Sequence, residues 1–216
     1  MYRIQTLNSI ARSGLERLPA DRYRVANDIE APDAVLVRSF DMHAIEVPST
    51  VKAIARAGAG VNNIPVAAMS ARGVPVFNAP GANANAVKEL VLAGMLMAAR
   101  NVGEALEFVA TLGGEADPKA AMETGKKRFV GFELEGKTLG VVGLGAIGVK
   151  VANAARALGM HVIGFDPHMT IEGAWQLSSQ VAKAGSLNEL FAAADFISFH
   201  VPLNDATRGL FGGQAL

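Results

Sequence analysis

The stretch Thr138-Leu-Gly-Val-Val-Gly-Leu-Gly-Ala-Ile-Gly148 decides the fold class of this chain. Its first five residues are apolar and β-prone, so they predict a buried strand. Residues 146–158 place apolar side chains at helical spacing, and residues 161–165 read as a second strand. A glycine-rich turn of the form G-x-G-x-x-G joins the first strand to the helix. This order of strand, turn, helix and strand predicts a dinucleotide-binding βαβ unit.

The glycines of the turn have separate jobs. Gly143 permits the tight turn, Gly145 leaves bare backbone for a pyrophosphate to approach, and Gly148 lets the helix pack closely on the strand. The amides of Ala146 and Ile147 are expected to point at the phosphates, because the helix dipole favours an anion at its N-terminus. These five residues are therefore candidate cofactor-binding residues.

Asp166 indicates which dinucleotide is bound. It ends the second strand, at about the 20-residue spacing at which this kind of unit carries an acidic side chain. Its carboxylate is suited to accept hydrogen bonds from the adenosine ribose hydroxyls and would repel a 2′-phosphate. No arginine follows it in Pro167-His168-Met169. The sequence therefore predicts NAD, not NADP, with Asp166 and Pro167 among its contacts.

Composition excludes several function classes. The 216 residues carry 20 Lys plus Arg and 20 Asp plus Glu, so net charge gives no reason to expect a nucleic acid or a membrane surface as partner. There is no cysteine, which removes disulfides, thiolate metal sites and thiol nucleophiles. The carboxylates show no metal-ligand spacing. Without a signal peptide or a membrane-length apolar run, we expect a cytoplasmic protein with a small-molecule substrate.

The rest of the chain predicts an α/β fold in two domains. Short strands at 4–7, 23–26, 34–37, 53–57 and 75–78 alternate with helical stretches, which is typical of a parallel sheet with covered faces. An apolar stripe predicts one long helix over residues 85–112, and the polar segment 115–128, with its Pro118 and Gly125, predicts a linker. We expect a substrate-binding domain over residues 1–92 and a nucleotide-binding domain over residues 93–216.

Three further segments carry a family resemblance. Residues 56–64 read RAGAGVNNI, residues 77–90 read FNAPGANANAVKEL, and residues 195–203 read DFISFHVPL. Together with residues 131–148 they closely resemble the D-isomer-specific 2-hydroxyacid dehydrogenases, in the right order and over essentially the whole chain. The resemblance implies a flavodoxin-like N-terminal substrate domain, then a Rossmann NAD-binding domain, in a protein that forms homo-oligomers.

The resemblance also implies a substrate site. The backbone amides of Ala59 and Gly60 match the positions that hold the substrate carboxylate, a role suited to converging N–H groups. Arg38 and Ser39, after the strand AVLV, match positions that face the substrate, and Asn83 matches another contact. Taken alone, Arg38 is typical of a solvated surface arginine, and Asn83 is typical of a helix cap.

Further cofactor contacts follow from the same resemblance. His200, Val201, Pro202 and Thr207 match the segment that lines the cofactor. A histidine at this point invites a catalytic interpretation, but the resemblance places the acid–base histidine later in the chain. We therefore expect a cofactor-lining or structural role for His200.

The resemblance finally implies a reaction. We expect NAD-dependent oxidation of D-3-phosphoglycerate to 3-phosphohydroxypyruvate in a complete enzyme, with glyoxylate or hydroxypyruvate reduction as an alternative. The Arg, Glu and His that perform the chemistry in this family are expected beyond Leu216, because neither an Asn-x-x-Arg-Gly nor a Pro-Phe-His-like segment occurs in the chain. The chain is thus expected to be C-terminally truncated, with an incomplete Rossmann domain, and inactive by itself. A non-catalytic nucleotide-binding short form remains a third interpretation.

Overall fold

The structure is a computed structural model that describes residues 1–212. The chain divides into two units, Met1–Asn83 and Ala84–Leu216, each with its own sheet. The domain boundary predicted between residues 92 and 93 falls inside the helix Ala84–Ala99, which belongs wholly to the second unit. The position of the domain boundary stays a prediction. None of the helices within residues 1–212 combines the length and the hydropathy that a membrane-spanning segment needs.

The first unit is a parallel sheet in the order β2-β1-β3-β4-β5. This is the flavodoxin-like order, and it confirms the predicted fold class for this unit. Its core is aliphatic and includes Val35, Val37 and Ile54, which are almost fully buried. The elements of the unit are β1 (Tyr2–Leu7), α1 (Arg12–Leu15), β2 (Tyr23–Ala26), β3 (Ala34–Val37), β4 (Ala53–Arg56), α2 (Val66–Ala71) and β5 (Val76–Phe77).

The second unit is a parallel sheet in the order β8-β7-β6-β9, with apolar clusters on both faces. Leu139 and Val141 of β6 are fully buried on one face, and Val142 packs with Leu190 on the other. The elements are α3 (Ala84–Ala99), α4 (Val102–Thr111), α5 (Pro118–Gly125), β6 (Thr138–Val142), α6 (Ala146–Ala157), β7 (His161–Phe165), α7 (Ile171–Gln176), β8 (Ala182–Lys183), α8 (Leu187–Ala193) and β9 (Phe196–Phe199).

The prediction of one long helix over residues 85–112 is wrong, because the helix breaks at Asn101. That residue takes the left-handed conformation (φ 49°, ψ 37°), which asparagine tolerates better than most residues. Its side-chain amide donates to the carbonyl of Val130, and the amide of Phe132 donates to the carbonyl of Ala99. The segment 130–132 therefore pairs the carbonyl of Ala99, which a continuous helix would have paired internally.

The prediction of a linker over residues 115–128 is also wrong, because helix α5 lies within it. Asp117 caps this helix by accepting from the amide of Ala120 at 3.0 Å, and Pro118 occupies the first helical turn, where no backbone donor is needed. A Cβ at Gly125 would lie 2.0 Å from the ring of Phe108. Pro118 and Gly125 thus serve the start of a helix and a close packing contact.

Candidate functional site

A cleft in the second unit lies where the strand order of its sheet reverses. β7 lies on one side of β6 and β9 on the other, so a crevice opens at the carboxyl ends of these strands. The cleft has a volume of about 490 Å³, within the range of small-molecule sites. It brings together many of the predicted cofactor contacts, namely Gly143, Gly145, Asp166, Pro167, His200, Val201, Pro202 and Thr207. Ala146, Ile147 and Gly148 follow directly in the chain and form the start of α6.

The glycine-rich turn has the geometry that a dinucleotide requires. Gly143 has φ +89°, and a Cβ there would lie 2.9 Å from the backbone of His200. A Cβ at Gly148 would lie 1.9 Å from the carbonyl oxygen of Gly143, so only glycine fits there. Around Gly145, by contrast, no atom lies within 4 Å of an added Cβ. The turn is closed on its inner side and open at Gly145.

Free amides face this open space. Within residues 1–212, the N–H groups of Gly145, Ala146 and Ile147 have no hydrogen-bond acceptor, and the first intrahelical bond of α6 runs from Val149 to the carbonyl of Gly145. Gly145 and Ala146 are exposed. Unpaired donors at the N-terminus of a 12-residue helix form a place for an anionic group.

Asp166 joins the turn to the end of β7. Its Oδ2 accepts from the amide of Leu144 and its Oδ1 from the amide of His168, both at 2.8 Å. Each carboxylate oxygen can accept more than one hydrogen bond, so the half-buried side chain keeps capacity for ligand hydroxyls. Asp166 therefore holds the glycine-rich turn in place in addition to lining the cleft.

His200 and the loop after it form the other wall. Nε2 of His200 lies 2.9 Å from Oγ of Ser198, and burial lowers the pKa of His200 from its ordinary value of 6.5. The hydroxyl of Thr207 donates to the carbonyl of Pro202 and accepts from the amide of Asn204. These bonds fold residues 202–207 into a compact turn against the cleft.

The first unit gathers its predicted contacts at the carboxyl ends of β3 and β4. Arg38 and Ser39 directly follow β3, and both are exposed. The amides of Ser39 and Phe40 donate to Oδ1 of Asn8, which holds this turn next to the end of β1. Among the described residues the Arg38 guanidinium has no hydrogen-bond or ion-pair partner, so it is available to an anion.

Ala59 and Gly60 lie in the loop after β4. No acceptor within residues 1–212 takes the N–H groups of Ala59, Gly60 or Val61. The loop's carbonyl groups, in contrast, are engaged: that of Gly58 accepts from the amide of Ala79, and that of Ala59 from the side chain of Asn78. The loop thus presents donors and hides acceptors, as an anion site requires.

Asn83 is the last residue of the first unit and is exposed. The neighbouring Asn85 lies inside α3, where its side chain donates to Glu89 at 2.7 Å. Both substrate contact and helix capping by Asn83 stay predictions.

Sequence reasoning missed three residues that shape these loops, namely Asn8, Arg56 and Asn78. Each follows or ends a strand of the first unit's sheet. A signal was present for Arg56, since it ends β4 directly before the glycine-rich segment 58–60 that carries two of the predicted substrate contacts. Among residues 1–212 no cluster of His, Asp and Glu is arranged to hold a metal ion.

Comparison with known families gives a match over the second unit. Residues 92–216 match the family described as "D-isomer specific 2-hydroxyacid dehydrogenase, NAD binding domain". This match covers the glycine-rich turn, Asp166 and the 200–207 wall of the cleft.

Curated relatives extend the similarity into the first unit. D-3-phosphoglycerate dehydrogenase of Methanocaldococcus jannaschii is 41% identical over 191 residues, which is 87% of this chain and 34% of the relative. Hydroxypyruvate reductase of Thermotoga maritima is 37% identical over 187 residues, 85% of this chain and 56% of the relative. The chain thus spans about a third of the phosphoglycerate dehydrogenase that it matches.

Two solved structures share the fold of this chain. The NAD⁺-bound 3-phosphoglycerate dehydrogenase of Entamoeba histolytica aligns with a TM-score of 0.73 at 27% identity, covering 100% of this chain and 67% of that one. A glyoxylate reductase from Paecilomyes thermophila aligns with a TM-score of 0.74 at 25% identity, covering 99% and 69%.

Proposed function

The chain belongs to the D-isomer-specific 2-hydroxyacid dehydrogenases, and from that premise we propose that it binds NAD in its second unit and a D-2-hydroxy acid in its first. The protein that contains it would oxidise D-3-phosphoglycerate to 3-phosphohydroxypyruvate, the reaction that opens serine biosynthesis. The names of the relatives support this substrate.

One observation carries the cofactor assignment. Open space at Gly145 and the free amides of Ala146 and Ile147 adjoin a cleft that Asp166 also lines. A dinucleotide fits these features: its pyrophosphate needs bare backbone and donors, and its ribose needs an acceptor. The carboxylate of Asp166 disfavours a 2′-phosphate by charge repulsion, which is why we propose NAD.

In this proposal NAD supplies the acceptor for the hydride that leaves the hydroxyl-bearing carbon. The residues of this chain bind the dinucleotide and orient it. Gly145, Ala146 and Ile147 hold the pyrophosphate, and Asp166 holds the adenosine ribose. Pro167, His200, Val201, Pro202 and Thr207 enclose the remaining wall. Burial lowers the pKa of His200, which favours the uncharged form of its ring in the cleft. No acid–base group is assigned among these residues.

The substrate is proposed to bind at the loops after β3 and β4. Its carboxylate would accept from the amides of Ala59 and Gly60, and Arg38, Ser39 and Asn83 would contact the rest of the molecule. The guanidinium of Arg38 matches a phosphate or carboxylate in charge and in planar donor geometry. An acid with two anionic groups, such as D-3-phosphoglycerate, would use both the amides and Arg38.

Hydroxypyruvate is the second candidate substrate, and the similarity to the Thermotoga maritima hydroxypyruvate reductase favours it. The two candidates differ in the oxidation state of C2 and in the phosphate group, and the phosphate group determines how much each needs Arg38. In the phosphoglycerate proposal, Arg38→Gln raises KM for the phosphorylated acid far more than for its unphosphorylated counterpart.

The test is a comparison of kcat/KM on the natural protein that carries this chain. NADH formation at 340 nm is measured with D-3-phosphoglycerate and D-glycerate, and NADH consumption with hydroxypyruvate and glyoxylate. We expect the highest kcat/KM for D-3-phosphoglycerate. A higher value for hydroxypyruvate would select the second candidate, and no turnover of any of these acids would refute both.

A further inference from the structure

The guanidinium of Arg56 lies beneath the loop that presents the free amides. Arg56 ends β4, and its Nε donates to the carbonyl of Arg38 at 3.0 Å while its Nη1 donates to the carbonyl of Gly60. A Cβ at Gly60 would lie 2.9 Å from this Nη1, and one at Gly58 would lie 3.6 Å from Nε. The absence of a side chain at Gly60 therefore leaves the space that the guanidinium occupies.

Three consecutive peptide groups of the loop are oriented by donors. The carbonyl of Gly58 accepts from the amide of Ala79 at 2.9 Å. The carbonyl of Ala59 accepts from Nδ2 of Asn78 at 2.6 Å, and the carbonyl of Gly60 accepts from Arg56. Each of these hydrogen bonds fixes the plane of one peptide group, because the group is rigid.

These hydrogen bonds determine where the N–H groups of the loop point. In a trans peptide the C=O and the following N–H point in opposite directions. Engaging the carbonyls of Gly58, Ala59 and Gly60 therefore turns the amides of Ala59, Gly60 and Val61 away from the protein's own donors. Those three amides are the ones without an acceptor among residues 1–212.

Arg56 also ties two loops together. Its bond to the carbonyl of Arg38 fixes the segment that carries the Arg38 guanidinium, and its bond to Gly60 fixes the amide loop. The two donors of one planar guanidinium thus set both halves of the predicted anion site in a single geometry. A lysine has a single ammonium nitrogen and cannot reproduce this arrangement of two nitrogen donors in one plane.

We propose that Arg56, with Asn78, is a positioning residue that holds the amides of Ala59, Gly60 and Val61 as a three-donor site for the substrate carboxylate. Val61 is thereby added to the two amides that the sequence predicted. This inference rests on the proposed function, because it takes the loop after β4 to be the place where the acid binds.

The test is an ¹⁵N-NMR titration of the 216-residue chain with D-3-phosphoglycerate. The variants are Arg56→Met, Arg56→Lys and Asn78→Ala, and the control is Arg24→Met. Arg24 is exposed on β2 and makes no side-chain hydrogen bond or ion pair in the described part of the chain, so the control removes the same charge outside the loop. Urea unfolding of each variant shows whether it folds.

In the wild type we expect the amide signals of Ala59, Gly60 and Val61 to shift on titration. Arg56→Met should move the Val61 signal before ligand is added and raise Kd roughly tenfold or more, as expected for loss of about one charge-assisted hydrogen bond. The Kd of Arg56→Lys should lie between those of Arg56→Met and the wild type, and the Kd of Arg24→Met should lie within about twofold of the wild-type value. If Arg56→Met does not fold, Arg56→Lys and Asn78→Ala decide.

Two negative outcomes are distinguishable. Wild-type loop signals that do not respond to D-3-phosphoglycerate would refute the proposed substrate site itself. A wild-type response that Arg56→Met, Arg56→Lys and Asn78→Ala all retain with unchanged Kd would leave that site standing and refute the positioning role of Arg56.

Discussion

Replacing Gly145 by alanine separates the stability of the turn from its binding role. The backbone of Gly145 (φ −74°) is open to any residue, and an added Cβ meets no atom within 4 Å. A glycine-to-alanine change at such a compatible position stabilises a protein by about 0.4–1 kcal/mol, because the unfolded chain loses freedom. Gly145→Ala is therefore expected to fold at least as stably as the wild type.

The same change should weaken NADH binding. The Cβ would fill the space through which a pyrophosphate reaches the amides of Ala146 and Ile147. Losing one charge-assisted hydrogen bond costs about 1.5–3 kcal/mol, which corresponds to a roughly 10- to 150-fold rise in Kd. Stability and affinity should thus move in opposite directions in one variant.

Gly148→Ala is the matched comparison within the same turn. Its Cβ would lie 1.9 Å from the carbonyl oxygen of Gly143, which is backbone and cannot rotate away. We expect a loss of roughly 1–3 kcal/mol of unfolding free energy or more, as in overpacked cores. Urea unfolding gives the stability of both variants, and calorimetric titration with NADH gives their Kd.

Two results would refute this reasoning. If Gly145→Ala bound NADH with the Kd of the wild type, the pyrophosphate would not lie over Gly145. If Gly145→Ala were destabilised as much as Gly148→Ala, the space around Gly145 would not be open.

Two pH-dependent properties follow from the shifted pKa values of Asp33 and His200. The amide of Arg3 and the ammonium of Lys52 donate to Asp33 and lower the pKa of that carboxyl from 3.8 to about 2. Because the folded-state pKa is the lower one, this stabilisation is present above pH 4 and is lost as pH falls towards 2. In urea unfolding across this range, the free energy of unfolding should therefore fall less steeply with decreasing pH for Asp33→Asn than for the wild type. Parallel plots of this free energy against pH would contradict the stabilising role of Asp33. Burial lowers the pKa of His200, so its ring should titrate by NMR with a midpoint below 6.5. Protonation of the ring should destabilise the fold as pH falls through that midpoint. A midpoint at or above 6.5 would contradict the assigned effect of burial.

Much of the fold was predictable because local signals agreed with tertiary packing. Strands β2, β3, β6 and β7 have the predicted bounds, since each is a short apolar run between turn residues. The strand orders were not predictable from periodicity, which says nothing about neighbours. The order became available only through the family resemblance.

The errors in the second unit have tertiary causes. Nothing in the apolar stripe of residues 85–112 marks the break at Asn101, because the segment 130–132 imposes it from 30 residues away. A Cβ at Gly131 would lie 2.2 Å from the carbonyl of Ala99, so a glycine outside the helix allows this approach. Helix α5 was missed because Pro118 was read as a loop residue and not as a helix start.

The candidate site was predicted as a set of donors and acceptors, but not as a network. The turn glycines and Asp166 could be found from spacing. The bonds that hold them could not: Asp166 also binds the amides of Leu144 and His168, and Arg56 engages two carbonyls. Side chains that bind backbone leave no sequence signature beyond their position at a strand end.

The most direct test of the central claim is a titration of the 216-residue chain with NADH and with NADPH. Trp175 is the only tryptophan and is exposed, so energy transfer from it reports on bound reduced nicotinamide. We predict saturable transfer with NADH and a Kd for NADPH at least about tenfold higher, because the carboxylate of Asp166 repels a 2′-phosphate. Equal affinity for the two, or no saturable binding of NADH, would contradict it.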